Sequence, residues 1–99
     1  MAYQINWSPR AIDDVASIAA YIAEDSEIYA SVVVRKIFLK ARLLSVSPKR
    51  GRVVPEFGDE TVREIFVYSY RIIYRISDEA VTIGTVIHGK RILSLELEP

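Results

Sequence analysis

Val62-Arg63-Glu64-Ile65-Phe66-Val67-Tyr68-Ser69-Tyr70-Arg71-Ile72-Ile73-Tyr74-Arg75-Ile76, followed by Val81-Thr82-Ile83-Gly84-Thr85-Val86-Ile87-His88-Gly89-Lys90-Arg91, is the stretch that decides the fold. β-Branched and aromatic residues dominate both runs and recur at period two, as strands require. The links are short, a tight turn near Tyr68-Ser69 and another at Ser77-Asp78-Glu79. Links of that length join only antiparallel neighbours, so residues 62–68, 70–76 and 80–88 are expected to form an antiparallel meander. On the middle strand Arg71, Ile73 and Arg75 share one face, and Tyr70, Ile72, Tyr74 and Ile76 share the other. The second set is the more apolar and is assigned to the covered face, which turns Arg71 and Arg75 to the open side.

Working outward, Tyr3, Ile5 and Trp7 alternate with Gln4 and Asn6 and predict a short first strand. Ser8-Pro9 then opens a helix, with Ser as N-cap, Pro at the first helical position, and Asp13 and Asp14 near the positive end of the dipole. Ile12, Val15, Ala16, Ala19, Ile22 and Ala23 form its apolar stripe. Asp25-Ser26-Glu27 breaks the pattern and caps a second helix. The expected helices cover residues 9–25 and 27–46. Ala30, Val33, Val34, Ile37, Ala41 and Leu44 make the second stripe, while Val32, Phe38 and Leu39 widen it beyond one neighbour and call for a second contact, either the sheet or a partner protein. Ser47-Pro48-Lys49-Arg50-Gly51 ends this helix, and a loop with a short strand around Val53-Val54 leads back to the meander. The tail, Ile92-Leu93-Ser94-Leu95-Glu96-Leu97-Glu98-Pro99, reads as either an extra strand or a mobile end. The result is a single α+β domain over residues 1–99, ordered β-α-α-β-β-β, with a helical hairpin packed on a mainly antiparallel sheet. Tyr74, Ile72, Ile83, Ile22 and Ile37 are expected in the core.

Composition narrows the chemistry. The 99 residues contain no Cys and one His, which excludes disulfides, thiolate metal sites and multi-histidine metal sites. Neither a leader pattern nor an apolar run of membrane-spanning length is visible, so the expectation is a cytoplasmic protein without a membrane partner. Formal net charge is zero, but the charges are segregated. Residues 1–27 hold Asp13, Asp14, Glu24, Asp25 and Glu27 against Arg10, whereas residues 28–55 hold Arg35, Lys36, Lys40, Arg42, Lys49, Arg50 and Arg52 and no acid. Such a segment serves either as a nucleic-acid footprint or as the neutralising neighbour of an acidic helix.

An RNA-cleaving site needs a base for the 2′-hydroxyl, an acid for the leaving oxygen and cations around the phosphate. Glu56, His88 and one or more of Arg63, Arg71, Arg75 and Arg91 supply those groups. The same arginines also suit ion pairs with Glu64 and Asp78 on neighbouring strands, and His88 suits a structural role at a strand end. Tyr68, Tyr70 and Tyr74 suit either stacking on bases or packing. No glycine-rich phosphate loop, nucleophile elbow or cofactor motif is present, and nothing points to a small-molecule substrate.

Taken in order, several fragments resemble the RelE/ParE superfamily of toxins from bacterial type II toxin–antitoxin modules, most closely its ParE-like branch. They are Trp7-Ser8-Pro9-Arg10-Ala11 with Asp14, Ala19-Tyr21-Ile22, Ser47-Pro48-x-x-Gly51-Arg52-x-x-Pro55-Glu56, Arg63-Glu64, Tyr70-Arg71-Ile72-x-Tyr74-Arg75 and Val86-Ile87-His88-x-x-Arg91. The resemblance implies the same β-α-α-β-β-β fold and a cognate antitoxin partner. One branch consists of ribosome-dependent mRNA endonucleases, and in it Glu56, Arg71 and His88 take the catalytic roles. The other branch inhibits DNA gyrase without a catalytic triad, and Arg63, Arg71, Arg75 and Arg91 would then face the target. The zero net charge, Gly89 after His88 and the first helix with Tyr21-Ile22 favour the gyrase branch. An inactive copy that only binds antitoxin is a further reading. Val32, Arg35, Phe38, Leu39, Leu93 and Leu95 are the expected antitoxin contacts, in helix-in-groove or strand-addition modes.

Overall fold

The computed structural model describes residues 2–91. The tail and its expected antitoxin contacts Leu93 and Leu95 lie outside the described residues. The chain runs β1 (Gln4–Trp7), α1 (Pro9–Ala23), α2 (Glu27–Arg42), β2 (Arg52–Val53), β3 (Val62–Val67), β4 (Tyr70–Ser77) and β5 (Ala80–His88). The sheet order is β1-β5-β4-β3-β2, antiparallel except for β1, which lies parallel to β5. The expected meander and helical hairpin are both present. No helix among the described residues is long and apolar enough to cross a membrane.

The caps act where the sequence places them. Ser8 accepts from the Ala11 N–H and Ser26 from the Tyr29 N–H, each 3.0 Å. Both helices stop earlier than expected. The first ends at Ala23, and the second passes at Leu43–Ser45 into a 3₁₀ turn, with a further 3₁₀ turn at Pro48–Arg50. A tighter last turn satisfies free carbonyls and redirects the chain, which apolar periodicity alone does not register.

The first helix is also rotated from its expected orientation. Ile12 is 47% exposed and Ala16 is exposed, while Ala11 and Val15 are buried with Ile18 and Ile22 packed beside them. Asp14 accounts for the rotation. Its carboxylate accepts from the Val86 N–H (3.0 Å) and the Thr85 hydroxyl (2.5 Å). β1 stops at Trp7 opposite Ile83, leaving the outer edge of β5 open beyond that point. Ser8 and Asp14 close it, the Ser8 N–H donating to Ile83 and the Ser8 hydroxyl to the Gly84 carbonyl at 2.8 Å. Asp14 therefore faces the sheet rather than serving the helix dipole. Gly84 is an extra residue in β5, since Ile73 pairs with Thr85 and Tyr74 with Ile83.

The main core lies between the hairpin and one sheet face. Val33, Ile37, Ala41 and Leu44 meet Ile65, Val67, Ile72, Tyr74, Val81, Ile83 and Val86. Of the five expected core residues, Ile37, Ile72, Tyr74 and Ile83 are fully buried, while Ile22 is only half-buried at the margin. The other sheet face is not open as expected. Loop 54–61 folds across it, and Val54, Val62, Ile73 and Ile87 form a second cluster against Phe57. The expected Val53-Val54 strand pairs instead as Arg52–Val53. The β3–β4 turn puts Tyr68 at φ 53°, a left-handed conformation costing about 1–2 kcal/mol for a side-chain-bearing residue. Its ring lies 6.2 Å from that of Tyr29.

Candidate functional site

Strand register decides which candidate residues can meet. Directly opposed residues on paired strands project to the same face. Tyr70 opposes His88, and Arg71 opposes Ile87. His88 therefore shares the helix-covered face with Tyr70, their rings 5.9 Å apart and edge-on. Arg71 projects to the opposite face, under loop 54–61. Glu56 joins Arg71 there, so the sheet separates Glu56 and Arg71 from His88. The expected triad is not assembled. A single register position of period-two alternation is responsible, because His88 follows Ile87, which opposes Arg71.

Arg71 is not a solvent-facing cation either. Its side chain is 5% exposed and that of Glu64 is 0% exposed. The Arg71 Nε donates to Glu64 (2.6 Å), Nη1 to Glu56 and to the Arg91 carbonyl (both 2.9 Å), and Nη2 to Glu56 (2.9 Å). Glu64 also accepts from Arg52 Nε at 2.5 Å. Two guanidinium groups and two carboxylates are thus linked in one formally neutral group. Its hydrogen bonds to Glu56 first, and then that to Glu64, hold the Arg71 guanidinium protonated more firmly than usual despite its burial.

The remaining arginines divide. Arg63 donates to the Glu60 and Gly51 carbonyls and pairs with the Glu60 carboxylate at 3.0 Å, its side chain 12% exposed. Arg75 lies 3.7 Å from Asp59, not Asp78, and is partly exposed. Hydrogen bonds from the Thr61 backbone and hydroxyl, with the Arg75 charge, hold the Asp59 carboxyl below its ordinary range. Arg91 is exposed, with no side-chain ion pair among the described residues.

Arg91 and His88 border a cleft of about 360 Å³ between α1 and the ends of β4 and β5. Tyr21 and Tyr70 line it over a floor of Ile18 and Val86. Tyr21 is 72% exposed, well outside the apolar stripe of its helix. Burial, with smaller contributions from Tyr21 and Tyr29, pushes the Tyr70 hydroxyl above its ordinary pKa. Sequence reading left Tyr70 between stacking on bases and packing and did not single out Tyr21 as a site residue. The signal available was an aromatic placed off a helix's core stripe.

The Ser47–Glu56 segment is a chain of framework contacts. The Tyr74 hydroxyl donates to the Pro48 carbonyl (2.6 Å) and accepts from the Gly51 N–H (3.1 Å). A Cβ at Gly51 would lie 2.5 Å from both the Glu64 carbonyl oxygen and the Tyr74 hydroxyl, so only glycine fits this approach. Val32, Arg35, Phe38 and Leu39 are exposed on α2, Phe38 resting against Trp7 with ring centroids 4.8 Å apart.

Comparison with known proteins agrees with this architecture. The chain is 31% identical over 90 residues to Toxin RelE2 of Caulobacter vibrioides, covering 90% of this chain and 98% of that one. A chain of the chromosomal ParDE toxin–antitoxin system of P. aeruginosa superposes with a TM-score of 0.72 at 17% identity, over 88% of this chain and 96% of that one. Free E. coli toxin RelE, in a mutant form, gives 0.65 at 20% identity, over 91% and 86%. The RelBE2 toxin–antitoxin complex of Mycobacterium tuberculosis gives 0.64 at 22% identity, over 89% and 92%. The family described as ParE toxin of type II toxin-antitoxin system, parDE, matches residues 5–93. With that match over most of its length, the chain belongs to the ParE toxin family, within the RelE/ParE superfamily of type II toxins.

Proposed function

We propose that this toxin acts by binding a protein target, DNA gyrase, and not by cleaving mRNA on the ribosome, and that a cognate antitoxin holds it inactive. The observation that carries this reading is the separation of Glu56 and Arg71 from His88 by the sheet. A general base and a general acid must both come within hydrogen-bond reach of one phosphodiester. A guanidinium committed to two carboxylates adds little positive potential for a phosphate. The absence of net positive charge points the same way, since phosphate contacts dominate affinity for nucleic acid.

The target contact falls on the cleft bordered by Arg91 and His88, where Tyr21 and Tyr70 add the aromatic groups that dominate protein interfaces. Arg75, partly exposed, projects to the opposite sheet face with Arg71 and would meet a target only as a separate contact, while Arg63 and Arg71 hold the loop segment to the sheet. The antitoxin would lie on the helical hairpin. Val32, Phe38 and Leu39 offer apolar contacts, and Arg35 borders an open groove of about 600 Å³ between α1 and α2, a shape suited to an amphipathic helix.

The test uses purified wild type, His88→Ala and Glu56→Gln, each checked for native circular dichroism. Gyrase supercoiling and ribosome-bound mRNA cleavage are assayed in parallel. The expected result is gyrase inhibition by wild type and Glu56→Gln, inhibition by His88→Ala weakened by no more than the loss of one contact at the cleft, and intact mRNA throughout. Losing a positioned acid or base lowers a cleavage rate about 10²–10⁴-fold. Cleavage by wild type, lost in both folded variants, with gyrase unaffected, would overturn the proposal in favour of the endonuclease.

A further inference from the structure

We propose that the free toxin pairs with a second copy of itself through the outward side of α2, the two helices running antiparallel. This self-association is independent of which target the toxin inhibits. α2 is apolar on two opposite sides. Ala30, Val33, Ile37 and Ala41 are buried toward the sheet. On the far side Ile28, Val32 and Leu39 are exposed, Ile28 at 81%, and Leu43 continues the row into the following 3₁₀ turn. With Arg35 these residues recur at i, i+4, i+7, i+11 and i+15, close to the alternating four-three spacing of a helix-pairing seam. The buried side already meets the sheet, so this outer row is the surplus that the core does not use.

Charge selects a reversed copy of the same face as the occupant. α2 begins beside Glu24, Asp25 and Glu27 and ends with Lys40 and Arg42. Antiparallel copies lay the acidic start of one helix along the basic end of the other and align the two helix dipoles favourably. Parallel copies would set Arg35 against Arg35 and match like ends. Glu27 and Arg35 both line the open groove beside α1, so they share one side of the helix. Neither makes an ion pair among the described residues, and along one helix they lie about 12 Å apart, too far to meet. A two-fold axis between Val32 and Arg35 turns Ile28 of each copy toward Leu39 of the other. It also brings Glu27 of one copy within about 8 Å, along the helix, of Arg35 of the other, a span that two long side chains cover. The symmetry forms this pair twice.

The neighbouring helix does not hold the copies apart. α1 exposes Ala16, Ser17 and Ala20, short side chains that let a facing hairpin approach closely. A hairpin face about 24 Å long and about 20 Å wide covers about 500 Å² on each copy, or about 1,000 Å² in total, the lower limit for a specific interface. The expected affinity is therefore micromolar. An isologous contact closes on itself, so assembly stops at two copies. The hairpin surface is the one assigned above to the antitoxin. A second copy and the antitoxin would exclude each other there, and the dimer is the state of the free toxin.

Sedimentation equilibrium of the purified full chain, from about 1 to about 300 µM so as to bracket a micromolar Kd, tests the proposal. The expected result is a monomer–dimer equilibrium with no larger species. Leu39→Glu should abolish it at every concentration. Glu27→Arg and Arg35→Glu, each alone, should weaken it about tenfold, because both symmetry-related pairs turn repulsive. Mixed together, these two variants should associate as tightly as wild type, since each swapped charge then meets its opposite. The mixture holds the same two proteins as the separate samples, so its recovery does not depend on how stable either variant is. A wild type that stays monomeric throughout, leaving the ridge to a different partner, would overturn the proposal. So would association unchanged by Leu39→Glu, growth into larger species, or a mixture no tighter than its components.

Discussion

Replacing Arg71 by Met should destabilise the protein far more than an exposed arginine would. The substitution leaves the fully buried Glu64 carboxylate with Arg52 as its only partner, and that guanidinium belongs to a side chain 62% exposed. It also removes both hydrogen bonds to Glu56 and the bond to the Arg91 carbonyl. Removing one partner of a buried pair costs about 3–5 kcal/mol, because a charge is left uncompensated in a poorly solvated place. For a chain this short each kcal/mol lowers Tm by about 4–8 °C, so the lower bound predicts a drop of about 12–24 °C. Urea and thermal unfolding followed by circular dichroism give both numbers. The triple variant Arg71→Met, Glu56→Gln, Glu64→Gln separates this account from simple loss of packing. With the buried Glu64 carboxylate neutralised, and Glu56 with it, most of the stability should return, whereas a packing defect would persist. A single variant within about 1 kcal/mol of wild type, the range of an exposed ion pair, would refute the reasoning. So would a triple variant no more stable than the single.

Tyr74→Phe should cost about 1–3 kcal/mol, since the Pro48 carbonyl and Gly51 N–H lose a buried partner. The variant should also flatten the alkaline limb of stability. Burial holds the folded-state Tyr74 pKa above its unfolded value, so its contribution is complete below about pH 10 and falls as pH rises toward the folded value. Tyr70, shifted in the same direction, should leave a residual slope; an unchanged profile in pH-dependent urea unfolding would contradict the assignment to Tyr74. Asp14→Ala should strand the Val86 N–H and cost about 1–3 kcal/mol, while Asp14→Asn, which keeps an acceptor, should cost less. Val86 amide exchange should accelerate in the alanine variant alone.

The meander was readable because period-two alternation, short links and β-branched residues all point to the same arrangement. The hairpin was readable because Ser8, Pro9 and Ser26 mark helix starts with side-chain chemistry that acts locally. What failed depended on partners distant in sequence. Ile12 was placed inside because apolar periodicity carries no term for Asp14, whose carboxylate closes the β5 edge some seventy residues away. Arg71 and Arg75 were placed on an open face because nothing local says that loop 54–61 folds back over it. The three residues of the endonuclease alternative lie apart for a different reason. Glu56, Arg71 and His88 were brought together by resemblance, which carries residue types but not sheet register, and register put His88 on the wrong side.

Those failures bear on what the shared signature means. Pro48 and Gly51 hold the Tyr74 hydroxyl, Arg63 donates to the Gly51 carbonyl, and Arg52, Glu64, Arg71 and Glu56 are linked in one network. Each motif of the resemblance between Ser47 and Arg75 is therefore accounted for by a contact that fixes loop 48–61 to the sheet. Residues that fix a framework are compatible with any target the framework is turned toward, which is why they could not separate gyrase from ribosome. Specificity is then expected in what the framework displays, Tyr21, Tyr70, His88 and Arg91 around one cleft and the apolar side of α2. Exchanging residues at these two places should change partners while leaving stability nearly intact, and the reverse should hold for the network.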